Sequence, residues 1–410
     1  MHFEPTRAAG LARLSDFLPR AGRDYANSRN YDDGVPEDGA RRNVSQLSPW
    51  LHAGLIDEGE VLDAVLAEHS PRTAEKFISE VFWRIYFKGY LEQRPGIWRG
   101  FCEQRDRSIG ELDDNAGLRR AYEEATGGRT GIEAFDHWAR ELVETGYLHN
   151  HARMWFASIW IFTLKLDWTL GADFFLRHLM DGDAASNTLS WRWVGGLHTT
   201  GKTYLARESN IARYTANMTA GPLEAQGLAS EAPALSEGEE YGRQGLALPD
   251  RPARDAFDAP YALILHDEAA SHVPLALPRP PDLVIGAPRP EARSSREIGS
   301  HARAFARGAV ENGLAEAADT FGCERRMWEM SDDLSNQLAA AGLKRIAIPF
   351  LPTGWIRDAL MPELAPIFEQ GDAIDLLGDL DRATWPHAKA GFFGVKKKIE
   401  GVLAEVGITG

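Results

Sequence analysis

Four short stretches of the chain join charged or polar side chains to aromatic ones at helical spacing. In His149-Asn150-His151-Ala152-Arg153-Met154, the residues Asn150, Arg153 and Met154 stand at i, i+3 and i+4 and share one helix face. Trp155, Phe156, Ile159 and Trp160 follow, so Arg153 is expected to be buried, and a buried guanidinium needs a partner. Asp181-Gly182-Asp183-Ala184-Ala185-Ser186-Asn187 offers one, in Asp181 or Asp183, and leads on to Trp191-Arg192-Trp193. An Asp-x-Asp pair often holds a divalent cation. Between an apolar helix and a tryptophan pair it fits a flat heterocycle better. His149 and His151 have no third ligand spaced with them, so no metal is expected. A third stretch carries Phe77, Glu80, Trp83 and Arg84. Glu80 and Arg84 are four apart and can pair, and amid Phe82, Ile85, Tyr86 and Phe87 their charges need each other or a ligand. The fourth, Ser45-Gln46-Leu47-Ser48-Pro49-Trp50-Leu51, follows Tyr25 and Arg29. It sets serines and free N–H groups just before a helix, which suits a diphosphate. Taken alone, an N-cap and loop explain it better.

These stretches need helices to hold them, and residues 20–215 read as mostly helical. Asp57 with Glu60 makes a capping box before Val61, Leu62, Val65 and Leu66. Ser70-Pro71 reads as an N-cap and first turn of a helix running to about Leu91. The polar stretch Gln104 to Asn115 breaks the apolar pattern. Gly131 to Thr145 is amphipathic, Tyr147 to Lys165 is apolar nearly all round, and Asp173 to Met180 is short. Residues 216–260 lack periodicity and read as a long linker or a chain lying over a surface. Beyond them, Tyr261–His266, Asp282–Ile285, Arg345–Phe350 and Ala373–Leu377 read as buried strands. Helical stretches at Ser300–Ala318, Asp332–Ala341 and Trp355–Gln370 alternate with these strands. Such alternation predicts an α/β domain with a parallel sheet. The expected division is therefore a helical domain over 1–215, a linker over 216–260 and a smaller α/β domain over 261–410. The run Lys396-Lys397-Lys398 reads as a solvated helix face.

The 410 residues suffice for a large core without disulfides or metals. Two distant cysteines, Cys102 and Cys323, exclude a four-cysteine cluster or a disulfide scaffold. The net charge of −15, from 45 basic and 60 acidic residues, excludes wholesale coating of nucleic acid by a basic surface, though not a local basic groove. No secretory signal and no membrane span are read, so a cytoplasmic protein is expected. Of the twelve tryptophans, nine fall between Trp50 and Trp193, a density that suits an aromatic ligand, an electron path or a Trp-rich core.

Taken in order, these motifs resemble the FAD-binding domain of the DNA photolyase/cryptochrome family. The likeness is carried by Ser45 to Leu51, Phe77 to Tyr86, Thr145 to Met154, Asp167-Trp168, Asp181-Gly182-Asp183, Asn187 and Trp191-Arg192-Trp193, and covers about residues 10–215. The resemblance implies FAD, with Tyr25, Ser45, Gln46, Leu47, Ser48, Phe77, Arg84 and Asn150 around its phosphates and chain. It implies an Arg153–Asp181 salt bridge beside the ring, Asp183 at the ring's polar edge and Asn187 at N5. Trp191 and Trp168 would be the inner members of an electron relay. By the same likeness, Glu80, Trp83, Asn150, Met154 and Trp193 match the lesion pocket of cyclobutane-dimer repair enzymes. The function implied is a deoxyribodipyrimidine photo-lyase-like enzyme acting on damaged DNA under blue light; the alternative is a cryptochrome-like FAD photoreceptor without repair activity. The family places its α/β domain first, and here it follows, so an antenna chromophore cannot be inferred. The outermost relay tryptophan is absent near Asn115, leaving Tyr122, Trp155 or Trp160 as substitutes. His151 stands where many repair enzymes carry an arginine.

Overall fold

The structure is a computed structural model that describes residues 3–36 and 39–408. Among the described residues, twelve α-helices form the first half: α1 (Arg7–Phe17), α2 (Arg23–Ser28), α3 (Ser48–His52), α4 (Glu58–Glu68), α5 (Glu75–Glu92), α6 (Pro95–Asp114), α7 (Ala116–Thr126), α8 (Glu133–Thr145), α9 (Asn150–Ser158), α10 (Trp168–His178), α11 (Ala184–Val194) and α12 (Glu208–Tyr214). Local chemistry sets their ends. The Asp57 and Glu60 capping box opens α4 as expected, and Asp183 opens α11 by accepting from the Ser186 N–H at 2.5 Å. A π-turn at Ile159–Thr163 extends α9, every residue from Ile159 to Phe162 being buried.

Two expectations are corrected. Ser70-Pro71 does not open α5. Ser70 instead caps a turn by accepting from the Thr73 N–H at 3.3 Å, and α5 starts at Glu75. Nor does the polar stretch after Gln104 break a helix, because α6 runs through it to Asp114 with Arg105, Ser108 and Leu112 buried, Gln104 and Ile109 half-buried and the rest facing solvent.

Residues 215–253 hold no helix or strand. Then β1 (Tyr261–His266), β2 (Leu283–Ala287), β3 (Glu324–Met327), β4 (Arg345–Pro349) and β5 (Ala373–Leu376) form one parallel sheet in the order β3-β2-β1-β4-β5. Between and after them come α13 (Ser300–Phe321), α14 (Leu334–Ala340), α15 (Trp355–Glu369), α16 (Asp379–Thr384), α17 (Phe393–Lys396) and α18 (Ile399–Glu405). The strand β3, Glu-Arg-Arg-Met, is an addition to the sequence reading. It is an exposed edge strand, and its charges hide it from a search for apolar runs while blunting the edge.

The two halves share their cores. One sheet face (Ala262, Ile264, Ile285, Ile346, Ile348) joins α15 and the aromatic core of α6 to α11. A second core joins α1, α4 and α5 to Phe305, Val310, Trp385 and Val395. The opposite sheet face, with Leu263, Leu265 and Val284, closes against Leu314 and Ala317 of α13. No helix among the described residues is long and apolar enough to cross a membrane.

Candidate functional site

A cavity of about 390 Å³ lies among α5, α9, α11 and the loop before α3. Its walls bring together Tyr25, Ser45, Gln46, Leu47, Ser48, Glu80, Trp83, Arg84, Asn150, Arg153, Met154, Asp181, Asn187, Trp191 and Trp193. Helical spacing explains how one helix serves it with several groups. On α5, Glu80, Trp83, Arg84 and Phe87 recur every three or four residues, and on α11 the same period gives Asn187, Ser190, Trp191 and Val194.

The 41–47 loop is held from behind. Arg13, 3% exposed, donates to the carbonyls of Ser45 (2.6 Å), Arg41 (2.6 Å) and Val44 (2.9 Å). Gln46 takes a left-handed φ of 54°, and its side chain accepts from the Arg41 N–H at 2.8 Å. A non-glycine residue held in that region turns the chain sharply into α3. The helix itself is a single turn, so loop N–H groups and hydroxyls, rather than a long helix dipole, line this wall.

Arg153 finds Asp181, not Asp183, at 2.9 Å, and its Nε donates to the Leu148 carbonyl at 3.0 Å. Burial pushes the Asp181 carboxyl up. Arg153, the Ser48 hydroxyl and Arg84 outweigh that and hold it below the usual carboxylate range. The pairing on α5 also differs from the sequence reading. Glu80 is bound by Arg29 at 2.5 Å, whereas Arg84 reaches Glu58 at 3.3 Å. Arg29 comes from the chain after α2 and Glu58 from the start of α4, so tertiary partners win over the i, i+4 neighbour. Asn187 donates from Nδ2 to the Ala172 carbonyl at 2.8 Å, which fixes the orientation of its amide.

Three expected residues stand off the cavity wall. Phe77 packs edge-on against Tyr25, with ring centroids 5.2 Å apart, and so supports a lining residue. Asp183 faces away, with Lys88 Nζ at 3.8 Å and His52 Nδ1 at 3.9 Å. Trp168 meets Phe101 at 5.7 Å. Trp191 meets Phe175 at 5.1 Å and Trp160 at 6.2 Å, and Trp160 in turn meets Tyr122 at 6.1 Å. The run of ring contacts from the cavity therefore passes through Trp160. His149 caps α9 by accepting from the His151 N–H at 3.2 Å, and His151 stacks on Trp155 at 4.4 Å. Burial depresses their imidazoles to about 3 and about 4, so both stay neutral at ordinary pH.

Behind the cavity lies a buried ionic cluster that sequence reasoning missed. Lys88 Nζ is 3.1 Å from Glu268, in the turn after β1. Arg293, fully buried, donates to the Leu179 carbonyl at 2.9 Å and lies 3.4 Å from His52 Nε2. Trp355 donates to the Gly182 carbonyl at 3.2 Å. His52, Asp183 and Glu268 bring ligand-type atoms within 4.8 Å of one another, but the Lys88 ammonium already stands beside both carboxylates as their cation. Asp183 was the one member of this cluster singled out in the sequence, and Glu268 and Arg293, which complete it, come from the distant second half.

The cavity's own chemistry fits a large polar ligand with a flat apolar body. Arg84 Nη2, Asp181 Oδ1, Ser186 Oγ and Trp191 Nε1 are buried and find no hydrogen-bond partner among the described residues, and all four residues line the cavity. Unpaired buried polar atoms are costly, so a set gathered around one cavity points to a ligand that pairs them. Donors for phosphate and hydroxyl groups at the 45–48 loop, with aromatic faces and an ion pair opposite, suit FAD.

Sequence comparison with known proteins agrees. Residues 77–219 match the family described as the FAD binding domain of DNA photolyase. The deoxyribodipyrimidine photo-lyase of Streptomyces griseus is 34% identical over 197 residues, covering 46% of this chain and 41% of that protein. One from Thermus thermophilus is 35% identical over 195 residues, covering 47% of this chain and 43% of that protein. Among solved structures, a Synechocystis cryptochrome aligns at 25% identity with a TM-score of 0.43, over 51% of this chain and 43% of that one. The chain thus spans about two fifths of the length of the curated relatives it matches.

Proposed function

We propose, from the match of residues 77–219 to the FAD binding domain of DNA photolyase, that the protein is a light-driven DNA repair enzyme that reverses cyclobutane pyrimidine dimers. One observation carries the reading. Glu80, Trp83, Asn150, Met154 and Trp193 share one cavity with the residues that suit FAD, so a lesion and a flavin ring would meet inside a single site. Bound there, FAD would supply the light-driven electron transfer to the dimer and its return, with no net redox change.

The chain's own residues bind, orient and exclude water. Arg84 and the 45–48 loop hold the cofactor's anionic groups. The Arg153–Asp181 pair fixes charge beside the ring, and the Asn187 amide offers a neutral polar group there in place of a carboxylate. A lesion in duplex DNA must leave the base stack to reach the cavity. Trp83 and Trp193 give it flat surfaces, and Glu80, held by Arg29, accepts a hydrogen bond from its pyrimidine edge. The acidic chain, at −15, favours a second reading, a cryptochrome-like FAD photoreceptor that does not repair.

The test is a blue-light assay of the purified, reduced, full-length protein on an oligonucleotide carrying one thymine dimer, with the flavin spectrum recorded alongside. Light-dependent restoration of the thymines is the expected result. Bound flavin without repair moves the assignment to the photoreceptor, and a purified protein that neither carries nor takes up FAD overturns both.

A further inference from the structure

We propose that residues 389–398, near the end of the chain and outside the matched FAD-binding region, form a DNA-contacting arm on the rim of the cavity. In it Phe393 acts as an apolar wedge, and Lys389, Lys397 and Lys398 meet phosphates. The proposal rests on the repair reading above and names a surface through which the duplex would be held.

The arm is bound to the cavity wall. Trp83 lines the cavity, and Phe392 stacks on it with ring centroids 4.0 Å apart and planes 14° apart. Tyr86 donates to the Ala390 carbonyl at 2.8 Å, and Arg94 to the Lys389 carbonyl at 2.7 Å. Val395 is fully buried and Lys396 pairs with Glu75 at 2.8 Å. Between these anchors the chain turns outward. Phe393 is 75% exposed, the highest among the exposed large apolar side chains of the described residues. Lys389, Lys397 and Lys398 are exposed as well.

Charge selects the occupant. The ten residues 389–398 hold four lysines and no acid, in a chain of net charge −15. Arg94, whose guanidinium lies 3.9 Å above the Tyr90 ring, extends the positive rim. A basic strip in an acidic protein, beside a cavity walled by tryptophan, fits a polyanion whose aromatic units enter the cavity. A base extruded from duplex DNA leaves a gap in the stack, and proteins that distort duplexes often fill such steps with a Phe or Leu wedge. Phe393 follows directly on the residue that stacks upon Trp83, so its exposed ring is anchored beside the cavity that the extruded base would enter. One isolated exposed phenylalanine needs no explanation. This one is tied to the cavity wall and flanked by lysines and by two glycines, Gly391 and Gly394.

The experiment uses the full-length protein with bound FAD. Dark binding is measured to a duplex with one thymine dimer and to the same duplex undamaged, for wild type, Phe393→Ala and the Lys397→Ala/Lys398→Ala double variant. Phe393→Ala is expected to weaken binding to the damaged duplex about tenfold and to the intact one far less. Flavin absorbance and melting temperature should not change, because the ring is exposed. The double lysine variant is expected to weaken both duplexes alike and to lower the slope of log K against log salt by about 1.8, for two lost phosphate contacts. Wild-type affinities in both variants would overturn the proposal while leaving the repair reading intact. So would a Phe393→Ala effect confined to self-association in sedimentation, which would make the arm a contact between copies. A flavin-loaded wild type that binds neither duplex would overturn both.

Discussion

At the scale of single residues, two side chains carry charge arguments that can be measured. Asn187 is 8% exposed and spends its Nδ2 on the Ala172 carbonyl. Asn187→Asp exchanges that donor for a carboxylate oxygen facing a carbonyl oxygen. The expected cost is about 1–3 kcal/mol in urea unfolding. Photoreduction of the bound flavin should slow as well, because the new negative charge stands on the same cavity wall. Unchanged stability would mean that the Asp is protonated or has turned away. Asp381 lies in a second cavity, of about 320 Å³, at the carboxyl ends of β1, β4 and β5. Burial first, then Glu58 and Asp57, push its carboxyl up from 3.8 to about 7, with Lys88 opposing. The folded state therefore holds this proton more tightly than the unfolded chain does. The stability this confers is complete below pH 3.8 and is lost as pH rises through 7. Asp381→Asn removes this charge, so its gain in melting temperature should be larger at pH 8.5 than at pH 5. Equal gains at both pH values would contradict the raised value.

At the scale of elements, the start of α11 is the junction on which the site turns. Asp183 caps the helix that carries Asn187 and Trp191, and its carboxylate also faces Lys88. Burial pushes that carboxyl up, and Lys88, Arg84 and the Ser186 N–H pull it below the usual range. Asp183→Asn keeps an acceptor for the cap and removes the charge, whereas Asp183→Ala removes both. The alanine variant should therefore be the less stable by about 1 kcal/mol, the typical worth of an N-cap, as read by urea titration of the two proteins. Identical stabilities would show that Asp183 matters only through its charge. The same helix shows what the sequence could reveal and where it stopped. Asn187 and Trp191 were legible through the family resemblance, and their i, i+4 spacing on α11 brings both to the cavity. The Arg153–Asp181 pair was legible as a buried cation with acids downstream. The inward or outward direction of Asp183 was not, because it depends on Lys88, Glu268 and Arg293, all distant from it in the chain. The Glu80–Arg84 reading failed for a related reason. Local spacing allowed the pair, but Arg29 and Glu58 arrive from other elements. Strands β1 and β4 were visible as apolar runs, whereas β3 was hidden by its charges.

At the scale of the whole molecule, the second half is part of the site's foundation. Asp181 lies between two carbonyls, those of Leu179 and Gly182, and both accept from the α/β half, through Arg293 and Trp355 respectively. A Cβ on Gly182 would come within 2.8 Å of the Arg293 guanidinium and 2.7 Å of the Leu176 carbonyl, so the chain passes too close there for any larger residue. Two hydrophobic cores run through both halves without a break. Such a molecule should unfold as one unit, with tryptophan fluorescence and flavin release changing together in urea. Arg293→Met keeps the bulk of the side chain and removes its donors and charge, leaving Asp181, Asp183 and Glu268 without a cation that now stands among them. Removing one partner from a buried ionic group costs about 3–5 kcal/mol. The expected result is a lower urea midpoint together with weaker flavin retention at denaturant concentrations well below it. Two separate transitions in the wild type, with flavin lost in the first, would mean that the helical half folds and fails on its own. Contacts from Arg293 and Trp355 would then stabilise the second half without holding the Asp181 loop.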